Sequence, residues 1–149
     1  MELLHNFPLI AALCAIVTAQ IIKVPIYLVT HRTWNVGLGF STGGMPSSHS
    51  AAVTSLATAI GIRNGFDSSS FAIAAIVSAI TMFDAAGIRR HAGMHASILN
   101  QLANTFPNQL FNGNFKLKEL LGHRPSEVFA GALFGIFISV LLHFGLAVG

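Results

Sequence analysis

Four apolar stretches, at residues 7–22, 51–62, 71–83 and 128–148, divide the chain, each bounded by polar or glycine-rich residues. Each fits inside a helix of about 20 residues, the length that crosses a bilayer core. The first predicts a helix from near Phe7 toward Tyr27, with Pro25 bending or ending it. A glycine-rich connection follows at 33–44, with Trp34 as an interfacial anchor. The second helix is expected over about 46–62, stopping at Arg63, Asn64 and Gly65. The third starts after Asp67 and Ser68 and carries on to about Arg90. The two middle stretches are short. They reach spanning length only if 46–50 and 84–88 continue them toward one surface, where polar groups at membrane depth must line a protected or watery cavity.

Between Arg90 and His123 the apolar pattern breaks up. Met94, Ile98, Gln101, Leu102 and Thr105 keep partly helical spacing, which predicts a short interfacial amphipathic helix before a turn near Pro107. The last helix begins around Pro125, and its Gly131, Ala132, Gly135 and Ser139 are small residues that let helices pack closely in a membrane. The expected fold is therefore all-α. It is an integral membrane bundle of about four transmembrane helices, with an interfacial amphipathic segment between the third and fourth.

Composition supports this class. The chain has 149 residues, 53% of them apolar and 9% charged, against roughly 25% charged in soluble domains. That length reads as one domain over 1–149. Residues 9–17 superficially resemble the apolar core of a secretory signal, but Glu2 and His5 are the only ionisable side chains before them, so a retained membrane helix is expected. The single Cys14 lies in this apolar run and implies packing, with no disulfide framework or zinc site. A net charge of +3 would be compatible with nucleic acid, yet no basic, aromatic-interleaved surface segment accompanies it.

Four crossings place Lys23 and Arg32, His49, Arg89 and Arg90, and the His123–Glu127 run on one face. Seven of the eight Lys and Arg residues then share that surface, leaving Arg63 opposite. The positive-inside rule makes the shared surface cytoplasmic, although residues held for anion binding would produce the same asymmetry. The membrane is read as the plasma membrane of a bacterium or an organelle membrane.

The chemistry concentrates in two motifs. Gly43, Gly44, Met45, Pro46, Ser47, Ser48, His49 and Ser50 set small residues and hydroxyls around a histidine at the mouth of an apolar helix. Glycine lets a backbone approach a ligand closely, and the N–H groups of a helix start point at an anion. The simpler reading is a capped helix in which Ser47 or Ser48 satisfies the backbone. In the second motif, His123 and Glu127 are four residues apart and share a helix face if one helix includes both. The carboxylate can then fix the imidazole tautomer, leaving the other nitrogen to attack phosphorus while His49 protonates the leaving oxygen. Arg89 or Arg90 can grip phosphate bidentately, and Lys23 and Arg32 add positive charge.

The run His123, Arg124, Pro125, Ser126, Glu127, Val128, Phe129, Ala130, Gly131 resembles the final motif of the type 2 phosphatidic acid phosphatase superfamily, which includes vanadium haloperoxidases. Pro46, Ser47, Ser48, His49 resembles its Pro-Ser-Gly-His motif, and Lys23 with Arg32 its opening pair. With Asp84 to Arg90, the chain looks like the divergent, compact membrane branch of that superfamily. The resemblance implies His123 as phosphohistidine nucleophile and His49 as general acid. It implies Lys23, Arg32, one of Arg89 or Arg90, Ser47 and the backbone at Ser48 as phosphate ligands. The implied activity is hydrolysis of a lipid phosphate or diphosphate monoester with no metal or cofactor. The implied partners are a lipid phosphate and the membrane, and a homodimer could supply packing that the shortened fold lacks.

Several positions depart from the family pattern. Eight residues intervene between Lys23 and Arg32, Thr33 follows in place of proline, Ser48 replaces glycine, and Glu127 replaces aspartate. Leu117 occupies the place of the phosphate-binding Arg six residues before the nucleophile. Arg89 or Arg90 can serve from the end of the third helix, or Lys116 and Lys118 can substitute, or phosphate chemistry has been lost. The first is favoured because a helix end is the more rigid platform.

Other polar residues have simpler readings. His91 and His95 share a helical face, but two ligands without a third do not make a zinc site, and a polar interfacial face explains them. Asp84 is costly at membrane depth unless paired, with Arg89, Arg90 or Lys23 as partner. His143 is read as a packing or snorkelling residue. Phe129, Phe134 and Phe137 face lipid or core, or line an acyl-chain groove. Two readings of another class remain: a noncatalytic module that binds or transports an anionic lipid headgroup in the same basic pocket, and a structural membrane scaffold.

Overall fold

A computed structural model describes residues 5–32, 44–105, 117 and 122–147. These residues form five helices: α1 (Phe7–His31), α2 (Ser48–Asn64), α3 (Ser69–Ala86), α4 (Ile88–Thr105) and α5 (Pro125–Ala147). No strand occurs among them. Stretches within Phe7–Thr30, Ser69–Thr105 and Pro125–Gly145 are long and apolar enough to cross a membrane. The protein is an all-α integral membrane protein.

The fourth helix of the bundle, α2, is different in kind. It has 17 residues rich in Ala, Ser, Thr and Gly and packs against α1, α3 and α5 at once. A helix surrounded by other helices does not need a lipid-facing apolar surface. It needs small side chains that let three neighbours approach, and buried hydroxyls that can bond to backbone carbonyls. Thr54 Oγ1 donates to Ser50 O at 2.8 Å and lies 3.0 Å from Ala132 O on α5. Ser78 Oγ of α3 lies 2.8 Å from Val53 O.

The centre is built from small residues in four-residue steps. On α1, Ala11, Ala15, Ala19 and Lys23 form one buried stripe. Gly131 of α5 lies over the Ser47 backbone, and Gly135 over Ala51 and Thr54. A Cβ at either glycine would run into that backbone. One step further in the same register come Ser55 and Ser139, both fully buried, with hydroxyl oxygens that bond to no described residue. Ala15, Ala19 and Ala51 form the apolar heart, with Phe134 and Ile138 packed on it. The large apolar side chains, such as Leu13, Ile76, Ile80, Phe129 and Phe137, point outward, as expected where the surrounding solvent is lipid.

Three expectations need correction. Pro25 does not end the first helix, which continues through it to His31. Pro25 is exposed, so its ring has room on the outer side and the lost hydrogen bond is absorbed within a long helix. The third helix does not run on to Arg90. It stops at Ala86, where Gly87 departs from helical geometry, and Arg89 and Arg90 belong to the first turn of a separate helix. That helix, α4, is not short: it has 18 residues and buries Gly93, Ala96, Asn100 and Ala103 on one side. The expected turn at Pro107, the 33–43 connection with Trp34, and Lys116 and Lys118 lie outside the described residues.

Candidate active site

One end of the bundle gathers the C-terminal ends of α1 and α3 and the N-terminal ends of α2 and α5. Two backbone bonds fix this arrangement. Ser47 N–H donates to Glu127 O at 3.0 Å, joining the mouth of α2 to α5. His123 N–H donates to Ala85 O at 3.0 Å, joining the chain two residues before α5 to the last turn of α3.

The sequence around His123 explains its local geometry. Pro125 occupies the first position of α5, where its missing N–H costs nothing. Glu127, two residues on, reaches back so that its Oε2 accepts from the Arg124 N–H at 3.2 Å. This is the carboxylate half of a capping box. The same Oε2 lies 2.9 Å from His123 Nδ1. The imidazole is 4% exposed and the carboxylate 19%. Glu127 thus caps its helix and orients the ring, and a neutral imidazole donating from Nδ1 carries its lone pair on Nε2. Lys23, 2% exposed, interacts electrostatically with Glu127 from α1.

Ser47 is the N-cap of α2. Its Oγ accepts from Ser50 N at 3.4 Å and from the Ser50 hydroxyl at 3.0 Å. Ser48 is buried in the first turn, whereas His49 beside it is exposed. Arg32 ends α1 in the left-handed conformation, φ 54°, with its N–H on Leu28 O, and its side chain is exposed. Asp84, half-buried, precedes the Ala85 whose carbonyl holds His123. Arg90 is exposed, and the side chain of Arg89 lies outside the described residues.

The described contacts therefore join His123, Glu127 and Ser47 directly, with Lys23 of α1 acting on Glu127 through its charge. Arg32, His49, Asp84 and Arg90 flank that group at the same end. Ser47 caps α2, as the simpler reading of that motif expects, and His123 meets Glu127, as their four-residue spacing expects. Three partners were missed by reading side-chain types: the Arg124 N–H, the Ala85 carbonyl and the Ser50 hydroxyl. None of these left a signal in the sequence: a capping box is marked by Ser, Thr, Asp or Asn three places before the glutamate, and Arg124 stands there instead. Leu117, in the place of the family's Arg, has both backbone groups bound by the Asn100 side chain of α4, at 2.8 and 2.9 Å.

No group of three or more His, Cys, Asp or Glu side chains converges among the described residues. His91 and His95 are both exposed, and His91 Nδ1 lies 3.0 Å from Gly87 O.

Fold and site define a class: a compact membrane-embedded helical bundle carrying a carboxylate-held histidine and a capped Ser-Ser-His helix start at one surface. Residues 4–138 match the divergent PAP2 family, and the chain belongs to that family. It is 52% identical over 153 residues to the uncharacterized membrane protein YuiD of Bacillus subtilis (strain 168), covering 95% of this chain and 97% of that one. No solved structure matches it.

Proposed function

We propose that this chain hydrolyses the phosphate or diphosphate monoester of a membrane lipid through a phosphohistidine at His123. The observation that carries the reading is the 2.9 Å contact between His123 Nδ1 and Glu127 Oε2 in a buried setting. It leaves Nε2 as the nucleophilic atom and places a counter-charge behind the ring as positive charge develops.

In the first step the Nε2–P bond forms as the P–O bond to the lipid breaks, and the His49 imidazolium gives its proton to the departing oxygen. Water then attacks phosphorus with neutral His49 taking its proton, and the N–P bond breaks to release phosphate and restore both histidines. Phosphoryl transfer asks little covalent chemistry of a protein beyond positioning and charge, so the remaining ligands matter through their place. Lys23, Arg32 and one of Arg89 or Arg90 supply cationic charge, and Ser47 with the Ser48 backbone supplies the helix-start cradle. Asp84 holds the basic groups of its surface in place.

The test is phosphate release by the detergent-purified chain from a panel of lipid phosphates with chelator present, alongside His123→Ala. Turnover that resists chelator and vanishes in the variant supports the proposal. Lipid binding by both folded proteins with turnover by neither would replace it with a headgroup receptor.

A further inference from the structure

A second feature lies on the same seam as His123, deeper in the bundle. A cavity of ≈ 500 Å³ opens between α3 and α5, with α2 as its floor. Its upper end is set by two cross-helix hydrogen bonds: Thr54 ties α2 to Ala132 of α5, and Ser78 of α3 ties to Val53 of α2. Because these hydroxyls are already bonded, they add little polarity to the wall. Below them α2 offers the small side chains of Ala57 and Thr58, and α3 and α5 touch each other only slightly, so this floor remains uncovered. At the lower end Phe66 and Phe71 stand edge to face at 5.0 Å.

The seam leads upward to the candidate active site. His123 is bonded to Ala85 of α3, and α5 starts two residues later. Ser78 lies seven residues before Ala85, and Ile136 of the groove nine residues after Glu127, so the groove begins about 10–14 Å of helix below the site. It therefore lies at hydrocarbon depth when the site lies near the headgroup plane. An apolar trough at that depth, beneath a site that takes a phosphate, fits a hydrocarbon chain joined to that phosphate. Its volume suits one chain.

We propose that the α3–α5 groove seats a single hydrocarbon tail of the phosphate-bearing substrate, so that a long chain gains affinity there while a short alkyl phosphate reaches the site without it. This rests on the lipid-phosphate reading of the His123 site.

The test compares hexadecyl phosphate with butyl phosphate, using the full purified chain and two groove-filling variants, Ala75→Phe and Val140→Phe, each verified as folded. The expected result is a KM for hexadecyl phosphate raised tenfold or more, with butyl phosphate turnover unchanged. Equal loss on both substrates, or no change on either, overturns the groove while leaving the phosphatase intact. If the unmodified chain hydrolyses neither substrate, the catalytic reading fails and the groove is judged by photolabelling. Hexadecyl phosphate with a terminal diazirine should then label Phe66, Phe71 or Val140 saturably, and Ala75→Phe should suppress it. Unsaturable labelling, or labelling confined to the lipid-facing Ile73, Ile76 and Ile80, overturns the proposal.

Discussion

The Ser47 N–H donates to the Glu127 carbonyl at 3.0 Å, so the cap of one helix is held by the first turn of another. Glu127 also receives the Arg124 N–H and holds His123 through its side chain. One residue therefore couples the two motifs that lie eighty positions apart in sequence. The close approach is possible because Gly131, one turn further along α5, has no Cβ to meet the Ser47 backbone.

That dependence makes the glycines sensitive to size. Gly131→Ala and Gly135→Ala should each destabilise the bundle by about 1–3 kcal/mol, the usual range for overpacking against a structure that cannot yield. Thermal unfolding in detergent measures it. Gly145→Ala is the control, since nothing stands within 4 Å of the added methyl. Equal melting temperatures for all three variants would contradict the packing described.

Glu127 should matter through the imidazole. Glu127→Gln keeps an acceptor near Nδ1 but loses the charge that stabilises a cationic ring, and kcat should fall by about 10²- to 10⁴-fold, as when a triad carboxylate is made an amide. KM should change little. Glu127→Asp, which shortens the arm by one methylene, should retain more activity than Glu127→Gln. The reverse order would indicate that capping α5 is the residue's only work.

Lys23 is almost wholly buried and interacts with Glu127. Lys23→Met should lower the melting temperature and raise KM for a lipid phosphate at least tenfold. Combining it with Glu127→Gln should cost less stability than the two single losses added together and restore no activity, because charges that act on one another are coupled. Strict additivity of the two stability losses would show that the residues are not coupled.

His49 is exposed beside the buried Ser47, Ser48 and Ser50, and its proposed role is that of the acid. His49→Ala should slow hydrolysis of an alkyl phosphate by about 10²- to 10⁴-fold, the range for a lost general acid. An aryl phosphate, whose leaving group needs little protonation, should be affected far less. Equal losses on both substrates would remove His49 from the role of acid.

The membrane class, the helical architecture, the polar start of the second helix and the i, i+4 relation of His123 to Glu127 are all legible in the order of residues. Each of these follows from composition or from a spacing of a few residues, where helix geometry is local and nearly fixed. Gly131 and Gly135 also announced a close helix contact. It took the packing of the helices to show that their partners are Ser47 and Ala51, that Lys23 is buried with its charge acting on Glu127, and that Ala85 lends its carbonyl to His123. Such pairings depend on the register between helices, which no local pattern encodes. The end of α3 was misplaced for a related reason. Helical periodicity continues through Gly87, and what breaks there is backbone geometry, which only the packed chain selects.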